Sequence, residues 1–447
     1  MDVLFAHAYF LARDPREREL MRPFPPLGLQ YLVAYMSRHG FDADWWDSTF
    51  ATGPEAFAPV LDASRPRVVG VYGHTLTRPV TAGMVAQARA RGCRVIAGGP
   101  DPGQYLDAYL GMGVEVVVLG EGEVTTAALL EHLRRNRWRW DPDTLGDIDG
   151  IAFLDGERIV RTRPRALVRP LDALPWPHRD RRDLDAYFSA WRARHSETAL
   201  SLTSSRGCPF HCAWCSKQVY GDTFRRREVD AVIDEMAFLL ERFSPGQLWF
   251  VDDMFTLNRK WVERFCARVV ERGLSVPFYI IGRAETLDPT LCDALKRAGC
   301  FRVYVSAESG ADHVLDEMVK GTTVAEIEAA ARNLRESGIE MGAFVMLGYP
   351  GEARRDILST RDLLRRIDPE VTLLSVAHPM KGTAFYDRVA GEIVGERDGR
   401  LRFRMPLPDR SYELAQRMIW ADIGRRREPG LRADARYALW RSLFALA

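Results

Sequence analysis

Arg206-Gly207-Cys208-Pro209-Phe210-His211-Cys212-Ala213-Trp214-Cys215-Ser216-Lys217 follows directly on a short apolar run at 199–203. An apolar run leading into a glycine predicts a strand that ends in a loop. That loop supplies three thiolates and no obvious fourth ligand. Iron-sulfur cubanes take four ligands, normally all cysteine, so a loop of three leaves one iron open to a small molecule. Zinc would need a fourth protein ligand, and His211 is poorly placed to join its neighbour Cys212. Gly207 lets the backbone approach the cluster closely. The other cysteines, Cys93, Cys266, Cys292 and Cys300, have no pairing spacing and read as small buried apolar residues.

A chain of 447 residues, 47% apolar, has material for two or three domains. Lysine plus arginine (62) cancels aspartate plus glutamate (61), which argues against a surface built to hold nucleic acid. No apolar run approaches the roughly 18 residues of a membrane span, and no basic segment precedes the first apolar stretch. A reducing cytoplasm is the expected compartment.

Residues 1–135 alternate short β-rich runs (3–6, 43–46, 68–72, 94–97 and 114–119) with helical stretches, the pattern of a parallel sheet wrapped by helices. A helix at 27–39 opens on Pro25 and Pro26 and stops at Gly40. Glycines follow three of the strands: Gly73, then Gly98 and Gly99, then Gly120 and Gly122. Aligned on the carboxyl edge of an open sheet, such turns form a ligand platform; singly, each is an ordinary βα turn. Residues 136–195 read as a structured linker with a hairpin at Asp155 and Gly156. Residues 196–390 carry six spaced strands (199–203, 248–252, 278–281, 303–307, 343–347 and 373–377), and 391–447 two helical segments.

The C-x3-C-x2-C loop with Trp214 before its last cysteine resembles that of the radical S-adenosylmethionine (SAM) superfamily. The stretch 25–36, the turn at 97–100 and Leu119-Gly120-Glu121-Gly122-Glu123 resemble the cobalamin-binding domain in front of many such proteins. The resemblance implies a Rossmann-like domain, then a partial (β/α)6 barrel, and as cofactors a [4Fe-4S] cluster on Cys208, Cys212 and Cys215, SAM on the open iron, and cobalamin. It further implies contacts to SAM from Trp214, Asp252, Asp253, Arg283, Ser306, Glu308 and Gly348. Asp252 or Asp253 would meet the SAM ammonium or cap a helix; Arg283 would hold its carboxylate or sit in a surface ion pair; Glu308 would accept from its ribose or pair at the barrel rim. Gly348 and its neighbours would let main chain lie on adenine. Toward cobalamin the resemblance implies Gly73, His74, Gly98, Gly99, Gly120, Glu121 and Gly122. The D-x-H-x-x-G motif that supplies a lower cobalt ligand elsewhere is absent. His74 and His7 are the histidines nearest a corrin, or ordinary turn histidines.

The implied activity is methylation of an unactivated carbon of a small molecule, with radical cyclisation or rearrangement as the alternative. tRNA modification is disfavoured, because Cys93 is the sole cysteine before residue 200. No acid-base pair is recognisable, in keeping with cofactors that carry the chemistry. The expected partners are a small-molecule substrate and a flavodoxin or ferredoxin type electron donor. Tyr220, Tyr349 and His378 are candidate substrate contacts or packing residues.

Overall fold

The computed structural model describes residues 1–397 and 399–447; of residues 142 and 181–183 only the backbone course is described. Two compact units are present. The first comprises Met1–Pro209 and Ser216–Val251 with a short piece of a hairpin near residue 400; the second comprises Phe210–Cys215, Asp252–Arg397 and Leu401–Ala447.

The first unit is organised on a seven-stranded sheet of order β2-β1-β3-β4-β5-β6-β7. β1 (Val3–His7), β2 (Ala43–Trp46), β3 (Val68–Tyr72), β4 (Arg94–Gly98) and β5 (Val116–Val118) are parallel, and β6 (Ile151–Asp155) and β7 (Arg158–Arg161) are antiparallel. β1 and β5 are buried at every position, as parallel strands covered on both faces must be. Alternate residues serve opposite faces. Leu4, Ala6 and Val69 meet Phe57, Met84 and Tyr109 on one side, while Val3, Phe5 and Ile96 meet Leu29, Val33 and Leu129 on the other. The order 2-1-3-4-5 places the topological switch between β1 and β3, whose carboxyl ends bound the crevice where such sheets bind ligands.

The expected helix at 27–39 is Leu27–Arg38, with Pro26 at its N-cap and Gly40 left-handed at φ 74° beyond its end. The hairpin expected at Asp155 and Gly156 is β6–β7. It adds to the front sheet through β5, which would otherwise expose an edge. The first unit also holds β8 (Ala199–Leu202), the ribbon of β9 (Ser205–Arg206) with β10 (Arg225–Arg226), and β11 (Gln247–Phe250), parallel to β8.

In the second unit β12 (Phe278–Gly282), β13 (Cys300–Glu308), β14 (Glu340–Leu347) and β15 (Val371–Val376) run parallel. Helices Pro289–Arg297, Val324–Glu336 and Arg354–Ile367 join them. Thr323 and Glu326 cap the second of these reciprocally. The second sheet has the order β15-β14-β13-β12-β11-β8. Its spatial order follows chain order, as in a partial βα barrel and unlike a doubly wound sheet. A hairpin of β16 (Ile393–Arg397) with β17 (Arg400–Phe403) precedes the C-terminal helices Asp409–Arg427 and Leu431–Leu446. The chain is therefore an α/β protein with a Rossmann-like front sheet, a six-stranded parallel sheet of barrel type and a helical C-terminus. The run expected at 248–252 stops at Phe250, because adjacent aspartates favour a turn over a ladder. Among the described residues, no helix is long and apolar enough to cross a membrane.

Candidate functional site

The cysteine loop leaves the β9–β10 ribbon, in which Arg206 stands opposite Arg225 and Ser205 opposite Arg226. Gly207 has φ 85°, and a Cβ there would lie 2.1 Å from the Thr223 carbonyl oxygen, so this position admits only glycine. Cys208 is half-buried, Cys212 buried and Cys215 exposed, and none is in a disulfide. The Cys215 N–H donates to the Cys212 carbonyl at 3.0 Å, turning the chain tightly. Within the second unit the loop is pinned from two sides: the Ala213 N–H donates to Met318 O at 2.9 Å, and the Phe385 N–H to Ala213 O at 2.8 Å.

Among the described residues no three His, Cys, Asp or Glu side chains are grouped as a single metal ion would need. The loop's thiols differ in setting from the chain's other cysteines. Burial pushes the thiols of Cys266 and Cys292 up to about 12, and that of Cys300 well above its usual value. Cys266 and Cys292 lie close enough to Cys300 to add to its rise, but as buried neutral thiols all three are poor ligands. Cys208, Cys212 and Cys215 sit instead on a polar, partly open loop.

The carboxyl ends of β13 and β14 form the rest of the second unit's candidate site. The β13–β14 register slips between Ser306 and Glu308, and Glu308 adopts φ 56°. A bulge followed by a left-handed non-glycine residue is a costly way to re-aim one side chain. Glu308 is buried, and burial pushes its carboxyl up to about 7. The Lys320 ammonium and hydrogen bonds from Trp214 and Ser306 partly offset that rise. Trp214, Ser306 and Glu308 thus come together. Lys320, buried with its Nζ 5.5 Å from the Trp214 ring centre, belongs with them and was missed from sequence. No local pattern distinguishes it from a solvated lysine.

Arg283 is buried, and its Nε and Nη2 donors are committed within the protein. Nε bonds Glu285, Nη2 donates to the carbonyls of Lys320 (2.6 Å) and Gly321 (2.9 Å), and the guanidinium lies 3.8 Å from the Phe210 ring centre. It therefore props the cysteine loop against the turn that carries Lys320. Arg283→Lys keeps the charge but loses the planar stack and the fork. We expect it to cost about 2 kcal/mol of stability and to reduce iron bound per chain, measured by denaturation and iron content.

Gly348 has φ 83°, and a Cβ there would fall 2.2 Å from Met405 Cε. Its N–H donates to Glu352 Oε2 at 2.5 Å; Glu352 is buried, which pushes its carboxyl up to about 8. The glycine's open side is thus taken by the protein's own Met405 and Tyr412. Tyr349 is buried against Phe385, a packing role, and half-buried His378 lies near Val376 O. Asp252 is buried and Asp253 exposed, both beyond the end of β11.

In the first unit, the carboxyl ends of β3 and β4 expose Tyr72 and Leu76 with His74 between them, an apolar ledge suited to a flat macrocycle. The His74 Nδ1 accepts from the Leu76 N–H at 3.3 Å. Gly73 packs where a Cβ would meet Pro102 and the Tyr109 hydroxyl at 2.5 Å, and Gly99, at φ 107°, abuts Gly73 O and Tyr72; a Cβ on Gly98 would meet only Val118, in ordinary contact. The turn is anchored by buried Asp101, which accepts from Arg78, Thr75 and Tyr109, another residue the sequence did not single out. His7 is buried in a network with Asp47, Ser48 and, through Asp47, Tyr187. At the turn after β5, Gly120 is left-handed at φ 75° and a Cβ on Gly122 would meet Leu32 at 3.1 Å. Glu121 there accepts from Arg206 and Arg225. Burial alone would raise its carboxyl, but the two guanidiniums hold it below the usual range.

A radical SAM superfamily profile matches residues 202–364, and a B12 binding domain profile matches residues 19–130. An uncharacterised methyltransferase of Pyrococcus horikoshii is 28% identical over 81% of this chain and 78% of its own length. An anaerobic magnesium-protoporphyrin IX monomethyl ester cyclase of Cereibacter sphaeroides is 25% identical over 88% of this chain and 64% of its own length. Among solved structures, the radical SAM methyltransferase TsrM of Kitasatospora setae, with cobalamin and a [4Fe-4S] cluster bound, superposes with a TM-score of 0.73 at 19% identity, covering 89% of this chain and 76% of that one. A second structure of TsrM holds a tryptophan substrate and a SAM analogue.

Proposed function

We propose, for a chain that belongs to the radical SAM enzymes carrying a B12-binding domain, that it methylates a carbon of a small molecule with a [4Fe-4S] cluster, SAM and cobalamin. The observation that carries this reading is the conjunction of two features. A loop of three cysteines, none in a disulfide, is bonded through Ala213 to Met318, two residues before Lys320, and its own Trp214 stands beside the re-aimed Glu308. When bound, the cluster supplies an electron that cleaves SAM and cobalamin carries a methyl group. The protein's part is to hold and enclose. Cys208, Cys212 and Cys215 hold the cluster; ionised Glu308 accepts from a ligand's hydroxyls; Lys320 offers a desolvated cation to a carboxylate; and Arg283 keeps the loop in place. Tyr72, His74 and Leu76 form a face for the corrin in the first unit.

An external flavodoxin or ferredoxin type protein would supply the electron. The test is anaerobic reconstitution with iron, sulfide and hydroxocobalamin. The expected result is about four irons per chain, corrin absorbance at one equivalent, and S-adenosylhomocysteine formed together with a methylated product. The similarity to the magnesium-protoporphyrin ester cyclase favours a second reading, ring closure. Deoxyadenosine formed without any methylated product would decide for it. A chain that binds no cubane would overturn both readings.

A further inference from the structure

We propose that Glu121, Glu123, Arg206 and Arg225 form a clasp that couples the corrin-side turn after β5 to the cluster loop, so that filling one cofactor site strengthens the other. The inference rests on the functional reading above and adds a positioning role to it. Arg206 donates from Nη1 to Glu121 Oε1 at 2.8 Å and from Nη2 to Glu123 Oε1 at 2.5 Å. Arg225, across the ribbon, donates from Nη1 to Glu121 Oε2 at 2.8 Å and to Val168 O at 2.9 Å. The Val168 N–H completes the ring on Glu121 Oε2 at 2.8 Å. The Arg206 guanidinium also lies 5.2 Å from the ring centre of Tyr31 and 5.3 Å from that of Tyr220. All four charged residues are at least nine-tenths buried.

Apolar side chains would hold two elements together at lower cost than four desolvated charges. What forked, bidentate donors add is a fixed distance and orientation. The placement gives that a purpose. One end of the clasp is the carboxyl-edge turn of the front sheet, within the part matched by the B12 profile. The other end, Arg206, is two residues from Cys208, and Gly207 between them is locked against Thr223. A hairpin settled by a bound cluster therefore presents Arg206 and Arg225 in register, and the turn with Glu121 is held for the corrin. Reciprocity requires the converse.

The same ribbon offers an internal control. Arg227 pairs with buried Glu235 and with Asp172, neither of which lies on the β5 turn. Loss of Glu235 takes a carboxylate from buried Arg227 and from Arg179, 3.8 Å away, as loss of Glu121 takes one from Arg206 and Arg225, without touching the coupling.

The experiment is titration of hydroxocobalamin into the full-length chain, followed by absorbance, once with the cluster reconstituted and once with it removed. Wild type is expected to bind cobalamin at least about five-fold more tightly in the cluster-loaded form. Glu121→Gln is expected to bring that ratio to about one, and Glu235→Gln to leave it unchanged even if both variants melt lower. If Glu121→Gln does not fold, Arg225→Lys, which keeps the charge and shortens the fork, is expected to reduce the ratio. A ratio of one in wild type, a ratio unchanged in the clasp variants, or the same loss in Glu235→Gln would overturn the proposal. Wild type that binds neither cofactor would instead overturn the functional reading beneath it.

Discussion

Cys212→Ala yields a folded chain that binds no cubane and loses at least the roughly million-fold acceleration that marks the low end of enzymatic catalysis. Two thiolates cannot replace three on a cluster whose remaining iron must stay open, so the loss is close to complete. The fold survives because main-chain bonds hold the loop. Cys215 N–H to Cys212 O, Ala213 N–H to Met318 O and Phe385 N–H to Ala213 O need no sulfur. Trimming one buried Cys to Ala costs on the order of 1 kcal/mol. The comparison is Cys300→Ala, which removes a fully buried thiol from β13. It is expected to lower stability by a similar amount and to keep its iron. Iron and sulfide content, with thermal melting in parallel, separates the two. Retained iron and activity in Cys212→Ala would remove the basis of the assignment.

Glu308→Gln is expected to make the protein more stable and a worse enzyme. The Glu308 carboxyl is held at about 7 by burial against an ordinary value of 4.5. Between those values the native chain keeps a proton that the unfolded chain releases, so stability falls as pH rises through the window. The full effect is about 3 kcal/mol, reached above pH 7. Gln is neutral throughout. The variant should therefore exceed wild type by ~3 kcal/mol at pH 8, with little difference near pH 4.5, in denaturant titrations at both. Activity should move the other way. An ionised carboxylate accepting from ligand hydroxyls contributes about 1.5–3 kcal/mol, so kcat/KM for SAM is expected to fall by roughly 10- to 100-fold. Wild-type activity should also rise with pH through about 7 as Glu308 ionises, and that limb should be missing in the variant. A stability difference independent of pH would show that burial does not hold the Glu308 carboxyl above its ordinary value.

Some side chains take their role from near neighbours in the chain and others from distant ones. The cysteine loop is local: its chemistry is written in spacing within one turn of chain, and the same holds for Gly40 after its helix and for the hairpin at Gly156. The alternation of strand and helix is equally local, because burial on both faces demands continuous apolar runs in every parallel strand. Glu308 was legible as a strand-end carboxylate, but its proton affinity was not. That affinity comes from the register slip against β14, the left-handed backbone and the approach of Lys320, one turn of chain further on, and of Trp214, which is far away in sequence. Arg283 shows the opposite case. Its position suggested a hand for a ligand carboxylate, yet tertiary contacts with Phe210, Glu285, Lys320 and Gly321 occupy its Nε and Nη2 donors. Glu121 is similar: the glycines around it signalled a ligand edge, while its own carboxylate is held by arginines about 85 and 104 residues further on.

The amino-acid order alone therefore fixed what depends on near neighbours: two α/β regions, a loop of three thiolates with a vacancy for a ligand, and the glycine-edged turns. Only the folded molecule decided which charges answer one another. Lys320 beside Trp214, Asp101 beneath the β4 turn, and the clasp of Glu121 and Glu123 with Arg206 and Arg225 are products of packing. A buried charge takes its meaning from partners that only the complete fold brings within a few ångströms, where desolvation makes each pairing strong and each missing partner costly.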